Sequence, residues 1–218
     1  MKADLHIHSN YSNDGVSTVE EIIETAMERG FGCIAITDHN NFEAYDKVKD
    51  NGKVIVIPGV EVSSKEGHIL AYGIDRNIPR DMSIKDTIDA IHEAGGVAFA
   101  AHPYRWWSGL GEKNTLNHDF DGVEALNARS VKGSNRRSLK LATRVGKPIT
   151  AGSDAHTPQF IGEGYVEFSD EIEGWEEALK AIMENKIVVH SSNRRVTGTL
   201  KYGIKSIVEW IFRGFKRM

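Results

Sequence analysis

Ala3-Asp4-Leu5-His6-Ile7-His8 opens the chain as an extended run in which apolar and polar residues alternate. Successive side chains of a strand point to opposite faces. Leu5 and Ile7 are therefore expected in apolar surroundings, with Asp4, His6 and His8 sharing the other face. Two imidazoles side by side on a rigid strand, with an acid behind them, make a pair of metal ligands. Each neutral ring gives one nitrogen to an ion and donates its other N–H to a neighbour. A half-exposed strand carrying two surface histidines would read the same way, so the partners further along the chain decide.

Working outward, Ser9 to Gly15 is polar loop, and Ser17 with Glu20 fits a capping box at the start of a helix. Val19, Ile22, Ile23 and Ala26 follow at helical spacing, and Gly30 ends the run. A strand Ile34 to Thr37 leads into Asp38-His39. A polar helix from about Phe42 to Lys49 precedes a strand Val54 to Ile57, which Pro58-Gly59 interrupts and Val60 to Val62 continues. Gly67 turns the chain into a hairpin partner, His68 to Tyr72. Ser83 caps a helix through Ala94, and a strand Val97 to Ala101 ends in His102-Pro103.

Tyr104 to Asp121 reads as a long loop with Trp106 and Trp107, and loops of that length are usually functional or disordered. The strand Val123 to Leu126, a helix of about Ser134 to Val145 and the strand Ile149 to Ala151 come next. That last strand runs into Gly152-Ser153-Asp154-Ala155-His156. A helix Trp175 to Glu184 and a strand Ile187 to His190 complete the pattern. Short apolar strands alternating with amphipathic helices predict an α/β fold with a mainly parallel sheet or barrel.

The chain has 218 residues, 40% hydrophobic and 27% charged, as expected of one globular domain. Its formal net charge of −4 argues against nucleic-acid binding by bulk charge. The balance is uneven: from Arg194 onward seven Lys/Arg face one acid, which leaves 20 basic against 30 acidic residues up to Asn193. We therefore divide the chain into a 1–193 (β/α) barrel domain and a 194–218 basic tail. In the tail Ile204, Ile207, Val208, Ile211 and Phe215 recur at helical spacing, predicting an amphipathic helix that docks on the domain or contacts an anionic surface. One cysteine, Cys33, excludes an internal disulfide, and no apolar run reaches the roughly 20 residues of a membrane span. With no signal-peptide pattern, a cytoplasmic setting is expected.

His6, His8, His39, Glu61, His102, Asp154 and His156 all fall at or just past the C-terminal end of an expected strand. In a (β/α) barrel those ends converge on the mouth where active sites are built. His68 begins the hairpin strand beside Glu61, and Asp14 lies in the first loop. Six of the nine histidines belong to this set; His92, His118 and His190 do not. Imidazole and carboxylate ligands without thiolate suit Zn, Mn or Fe. Nine ligand candidates exceed the needs of one ion and suit two or three divalent ions. Adjacent ions can bind a hydroxide nucleophile and clamp a phosphoryl group.

Asp4-Leu5-His6-Ile7-His8, Thr37-Asp38-His39, Gly59-Val60-Glu61, Ala101-His102-Pro103 and Ser153-Asp154-Ala155-His156, in this order, resemble the motifs of the PHP (polymerase and histidinol phosphatase) family. The resemblance runs from Asp4 to His156. It implies a distorted seven-stranded (β/α) barrel, metals at the C-terminal strand ends and hydrolysis of phosphoesters. Carried over, His6, His8, Glu61 and Asp154 hold one ion, and Glu61 bridges to a second shared with His68 and His102. Asp14, His39 and His156 hold the third. Glu61 and Asp154 thereby act in catalysis through the metal-bound hydroxide.

Where many relatives have Ser-Asp-Gly, this chain has Ser12-Asn13-Asp14-Gly15, and we take Asp14 over Asn13 because a carboxylate binds hard cations better than an amide. Asp4 and Asp38 are placed behind the ligands, orienting imidazoles. Arg129 and Arg105 are the candidates for the substrate phosphate, since Arg grips phosphate oxygens bidentately. The expected substrate is a small phosphorylated metabolite or nucleotide. A 5′-3′ exonuclease on short RNA or DNA and a non-catalytic metal-bound PHP module are the alternatives. A barrel amidohydrolase shares the opening H-x-H but lacks the early Asp-His and closing D-x-H, and nothing else of a polymerase is present.

Overall fold

The computed structural model describes residues 1–191, so the expected tail helix lies outside the described residues. The chain runs β1 (Lys2–Ile7), α1 (Val19–Glu28), β2 (Cys33–Ile36), α2 (Glu43–Val48), β3 (Ile55–Val56), β4 (Gly59–Ser63), β5 (His68–Tyr72) and α3 (Ile84–Glu93). It continues through β6 (Val97–Ala100), α4 (Gly111–Asn117), β7 (Gly122–Asn127), α5 (Lys132–Val145), β8 (Ile149–Gly152), β9 (Gly164–Phe168), α6 (Trp175–Met183) and β10 (Ile187–Ser191). No helix among the described residues is long and apolar enough to cross a membrane.

These strands form two five-stranded sheets, in the orders β10-β9-β1-β2-β3 and β4-β5-β6-β7-β8. The first pairs β1, β2 and β3 in parallel and returns antiparallel through β9 and β10. The second starts with the predicted β4–β5 hairpin and ends in the parallel set β6, β7, β8. The expectation of a mainly parallel sheet is therefore corrected to a mixed one. The described ladders do not close into a single barrel. The break falls at Pro58, which has no N–H to donate: β3 pairs with β2, but β4 leaves for the other sheet. At one end the sheets meet, through the isolated bridges Ile7–Ala155 and His39–Glu61.

Three apolar cores follow from this arrangement. Leu5 and Ala35 from the first sheet, Leu70, Tyr72, Phe99 and Ala151 from the second, and Val166 and Ile182 share one interior. The Tyr72 hydroxyl crosses it to the Leu5 carbonyl, 2.8 Å away. Outside the second sheet, α3 packs Ile84, Ile88 and Ile91 on Val60, Ile69 and Ala98. Outside the first, Val19, Ile22 and Ile23 of α1 pack on Ile7, Ile34 and Ile36.

Leu5 and Ile7 thus lie in different cores, not on one face. Ala3, Asp4 and Ile7 pair with Cys33, Ile34 and Ile36, so β1 carries one residue more than β2 between Asp4 and Ile7. This is a bulge, which re-aims the side chains beyond it. A second one in β7 spaces Glu124 and Leu126 against the adjacent Thr150 and Ala151.

Three local expectations also shift. The N-cap of α1 is Thr18, with Glu21 completing the capping box, while Ser17 is buried and its carbonyl accepts from Asn10. The Tyr104 to Asp121 stretch contains α4. The strand β9 was not anticipated, although its alternating Gly-Tyr-Val-Glu-Phe suits one.

Candidate metal centre

The sheet ends that meet at those bridges carry every ligand candidate except Asp14, which lies in the loop after β1. β1 delivers His6 and His8, β2 is followed by His39, and β4 carries Glu61 opposite the start of β5 at His68. β6 is followed by His102, and β8 by Asp154 and His156. The backbone turns sharply there. His102 and Asp154 have φ of 27° and 52°, in the left-handed region that costs a non-glycine residue energy. Both are pinned: His102 N–H donates to Glu124 Oε2 at 2.7 Å and Asp154 N–H to the His6 carbonyl at 2.7 Å. Gly152 makes the approach of β8 to β1 possible, because a Cβ there would stand 2.2 Å from the His6 Cβ.

The Glu61 carboxylate is the hub. His68 Nδ1 and His102 Nε2 lie 2.9 and 2.8 Å from Oε1. His6 Nε2, His8 Nε2 and His39 Nδ1 lie 3.2, 3.3 and 3.3 Å from Oε2. Beside it, His156 Nε2 is 2.8 Å from Asp14 Oδ2, and His39 Nε2 is 3.9 Å from Asp14 Oδ1. Asp154 Oδ1 sits 3.6 Å from His8 Nε2 and 3.4 Å from His156 Nδ1. Asp14, and not the exposed Asn13, faces the histidines.

Several rings are turned so that one nitrogen is spent on an orienting contact and the other faces the cluster. His6 Nδ1 bonds Glu124 Oε1 at 2.8 Å, which leaves Nε2 toward Glu61 and His8. His8 Nδ1 contacts Ser12 Oγ at 3.1 Å. That hydroxyl donates to Asp38 at 2.8 Å and accepts from His39 N–H, so Asp38 reaches the imidazoles through Ser12. Asp4 does not meet an imidazole. Its carboxylate accepts backbone N–H groups of His6, Ser153 and Gly162, and so fixes the two strand ends.

Charge is distributed accordingly. Burial holds His39 and His102 down to about 4, helped at His102 by the Arg105 cation. It lowers His8 and His156 as well, with His156 also repelling His8 and Arg129 repelling His156. Burial would raise Glu61, but His68, His6 and His39 outweigh it and hold the carboxyl well below its usual range. Asp154 likewise stays ionised against burial, through Arg105, His6 and Arg129. His6 is the exception: burial opposes its charging, yet Glu124, Glu61 and Asp154 raise it well above the ordinary value.

Neutral imidazoles crowded on one carboxylate present lone pairs to lone pairs unless a cation lies between them. Asp14 Oδ1 and His39 Nδ1 are buried and lack a hydrogen-bond partner. Two triads and one tetrad have ligand atoms within 4.8 Å of one another: His6-His8-Glu61, His39-Glu61-His68 and His8-Asp14-His39-His156. These donors fit Zn, Mn or Fe cations.

A family model described as PHP-associated matches residues 132–187. An uncharacterized protein of Methanocaldococcus jannaschii is 37% identical over 142 residues, 59% of this chain and 82% of that protein. The probable histidinol-phosphatase of Thermotoga maritima is 26% identical, with 85% of this chain and 97% of that protein covered. A solved two-domain protein of Bacteroides vulgatus, described as containing a predicted PHP-like metal-dependent phosphoesterase, superposes with a TM-score of 0.73 at 16% identity. It covers 88% of this chain, which spans 64% of that one. The chain belongs to the PHP family.

Both substrate-binding candidates of this PHP chain are buried at the centre. Arg105 Nη2 donates to Asp154 Oδ2 and Asn127 Oδ1, each at 2.6 Å. Arg129 Nη1 donates to His156 Nε2 at 3.0 Å and lies 3.5 Å from Asp154 Oδ1. Sequence reasoning missed Glu124 and Asn127. Glu124 is 1% exposed and serves His6, His102 and Asn127 Nδ2, the last at 3.0 Å. Asn127 also donates to Asp154 Oδ2 at 3.1 Å. Strict alternation would put residues three apart on opposite faces; the β7 bulge brings both to the site. An acid within an otherwise apolar strand was the one available signal.

Proposed function

We propose that this PHP protein hydrolyses phosphoesters, preferably phosphomonoesters or terminal nucleotide phosphates, at a centre of two or three divalent ions. The observation that carries this reading is the buried Glu61 carboxylate with five imidazole nitrogens within 3.3 Å. His6, His8, Glu61 and Asp154 would hold one ion, Glu61, His68 and His102 a second, and Asp14, His39 and His156 a third. When bound, such ions supply Lewis-acid activation of water and neutralise charge on a phosphoryl group.

The protein's own share is binding and orientation. Arg129 and Arg105 offer guanidinium N–H groups beside Asp154, where a phosphate oxygen can be gripped. Asn127 holds Arg105 and Asp154 in register. Asp38, Asp4 and Glu124 hold the ligands' backbone and rings against motion. We read the two facing sheets as the parts of a distorted (β/α)7-type barrel with this centre at its mouth. Burial pushes the lone Cys33 thiol up to about 12, which keeps it protonated and unreactive at neutral pH.

The test joins metal analysis of protein purified without chelator to a panel of phosphomonoesters, nucleotides, phosphodiesters and amides assayed with Mn and Zn. At least two ions per chain and turnover of monoesters are expected. Fewer than one ion, or turnover confined to amides, refutes the reading. Full metal loading with silence across the panel would instead mark a non-catalytic module.

A further inference from the structure

Helix α5 begins three residues after Arg129 and packs along β7. Its buried residues are Asn135, Ser138, Leu141 and Ala142, spaced as one helical stripe. The first of them, at the end beside Arg129, is an amide. Asn is a poor helix former, and burying its polar atoms costs free energy unless they are hydrogen-bonded. Packing alone would favour an apolar side chain at this place.

Asn135 finds its partners on a single residue. Its Oδ1 accepts the Asn127 N–H at 3.2 Å, and its Nδ2 donates to the Asn127 carbonyl at 2.9 Å. One side-chain amide thus holds both backbone groups of Asn127. The two arginine-bearing segments converge on that residue. Asn127 Oδ1 accepts from Arg105 Nη2 at 2.6 Å and from the backbone N–H groups of Arg129 and Ser130 at 3.0 and 3.1 Å.

A second brace from the same helix reaches the residue before Arg105. Ser134 Oγ donates to the Tyr104 carbonyl at 3.1 Å, and the Arg137 guanidinium lies 4.0 Å over the Tyr104 ring. The Tyr104 hydroxyl donates to Glu112 Oε2 at 2.6 Å, and Arg144, near the far end of α5, holds Glu112 Oε1 at 2.6 Å. Helix α5 therefore grips Tyr104-Arg105 through Ser134, Arg137 and Arg144, and Asn127 to Arg129 through Asn135.

We propose that Asn135 is a positioning residue for the substrate phosphate. By fixing the Asn127 backbone it sets where the Arg105 and Arg129 guanidinium groups stand, and Ser134 is a second brace acting on Arg105. This rests on the phosphoesterase reading, in which the two arginines grip phosphate, and it traces their placement to a helix that touches neither substrate nor ions. A guanidinium makes paired bonds to a phosphate only in a narrow range of orientations. A small drift of its support therefore weakens the grip while the metal ligands stay in place.

The experiment compares the full chain, Asn135→Ala and Ser134→Ala, each loaded with Zn. Inorganic phosphate is titrated by calorimetry, and guanidinium N–H exchange with solvent is followed by NMR, with Arg105→Lys and Arg129→Lys assigning the signals. Asn135→Ala should raise Kd for phosphate, and KM for a phosphomonoester, about tenfold, with kcat changed less. Both guanidinium signals should exchange faster, and the Zn content should equal the parent's. Ser134→Ala should speed exchange at Arg105 and leave Arg129 as in the parent.

Phosphate affinity and exchange rates equal to the parent's in Asn135→Ala overturn the proposal, even if that variant melts lower. So does a loss of Zn in step with the loss of phosphate affinity, which would make the helix a support of the metal centre. If Asn135→Ala does not fold, Ser134→Ala decides, and unchanged exchange at Arg105 overturns the bracing by α5. If the parent turns over no phosphoester, the phosphoesterase reading fails, and the exchange measurement still decides the positioning separately.

Discussion

Replacing Glu124 by Gln tests whether this buried acid positions the metal centre or merely fills space. Its Oε1 takes His6 Nδ1 at 2.8 Å and Asn127 Nδ2 at 3.0 Å, and its Oε2 takes the His102 N–H at 2.7 Å. A glutamine amide keeps one acceptor. With its oxygen in the Oε1 place, the NH2 confronts the His102 N–H, leaving one buried donor unpaired at a cost of about 1–3 kcal/mol. The reverse orientation strands two donors and is worse. The metal-free protein should therefore melt roughly 2–10 °C lower. The orienting carboxylate behind His6 is lost as well, which should weaken metal binding by about 10–100-fold.

Chelator competition with Zn or Mn measures the affinity, and a melt of the stripped protein measures the stability. Glu124→Asp, which keeps the charge on a shorter arm, should recover part of the affinity. A variant that melts lower but binds metal as tightly as the parent would show that Glu124 only supports the fold, and the positioning argument would be refuted.

Glu61→Gln should cost the most metal of any single change, because one carboxylate serves five imidazoles; an ion content equal to the parent's by elemental analysis would contradict its central role. Gly152→Ala should abolish metal retention or soluble expression, since its Cβ would lie 2.2 Å from that of His6 and force β8 from β1; a parent-like melt with full metal would refute the close approach. The metal-stripped protein should lose stability as pH falls from 6.5 toward 4. His39 and His102, depressed to about 4, are neutral when folded and bind protons first when unfolded. Each then contributes a slope of up to about 1.4 kcal/mol per pH unit. His6, raised by its acids, is charged in both states below 6.5 and adds nothing in that window. Flat stability across it would exclude buried neutral rings. Arg129→Ala should raise KM more than it lowers kcat if the guanidinium only anchors phosphate, and steady-state kinetics on a monoester decides.

That the candidate imidazoles and carboxylates gather at one end of the sheets was legible in the residues alone. Imidazoles and carboxylates declare their chemistry by type, and short apolar runs mark strand ends without any knowledge of which strands are neighbours. The Ser83 cap and the β4–β5 hairpin were legible for the same reason, since both depend on contacts close along the chain.

What only the tertiary structure decided is register and partnership. The bulge in β1 sends Leu5 inward and Ile7 outward, and the bulge in β7 turns Glu124 and Asn127 to the same centre. Neither can be read locally, because an extra residue in one strand exists only relative to its neighbour. The assignment of β3 and β4 to different sheets, and the pairing of β9 with β1, are likewise properties of two distant segments. Asp4 shows the division in one side chain. Its place next to the histidines is set by the chain. Its partners, Ser153 and Gly162, lie about 150 residues away, and folding alone brings them to its carboxylate.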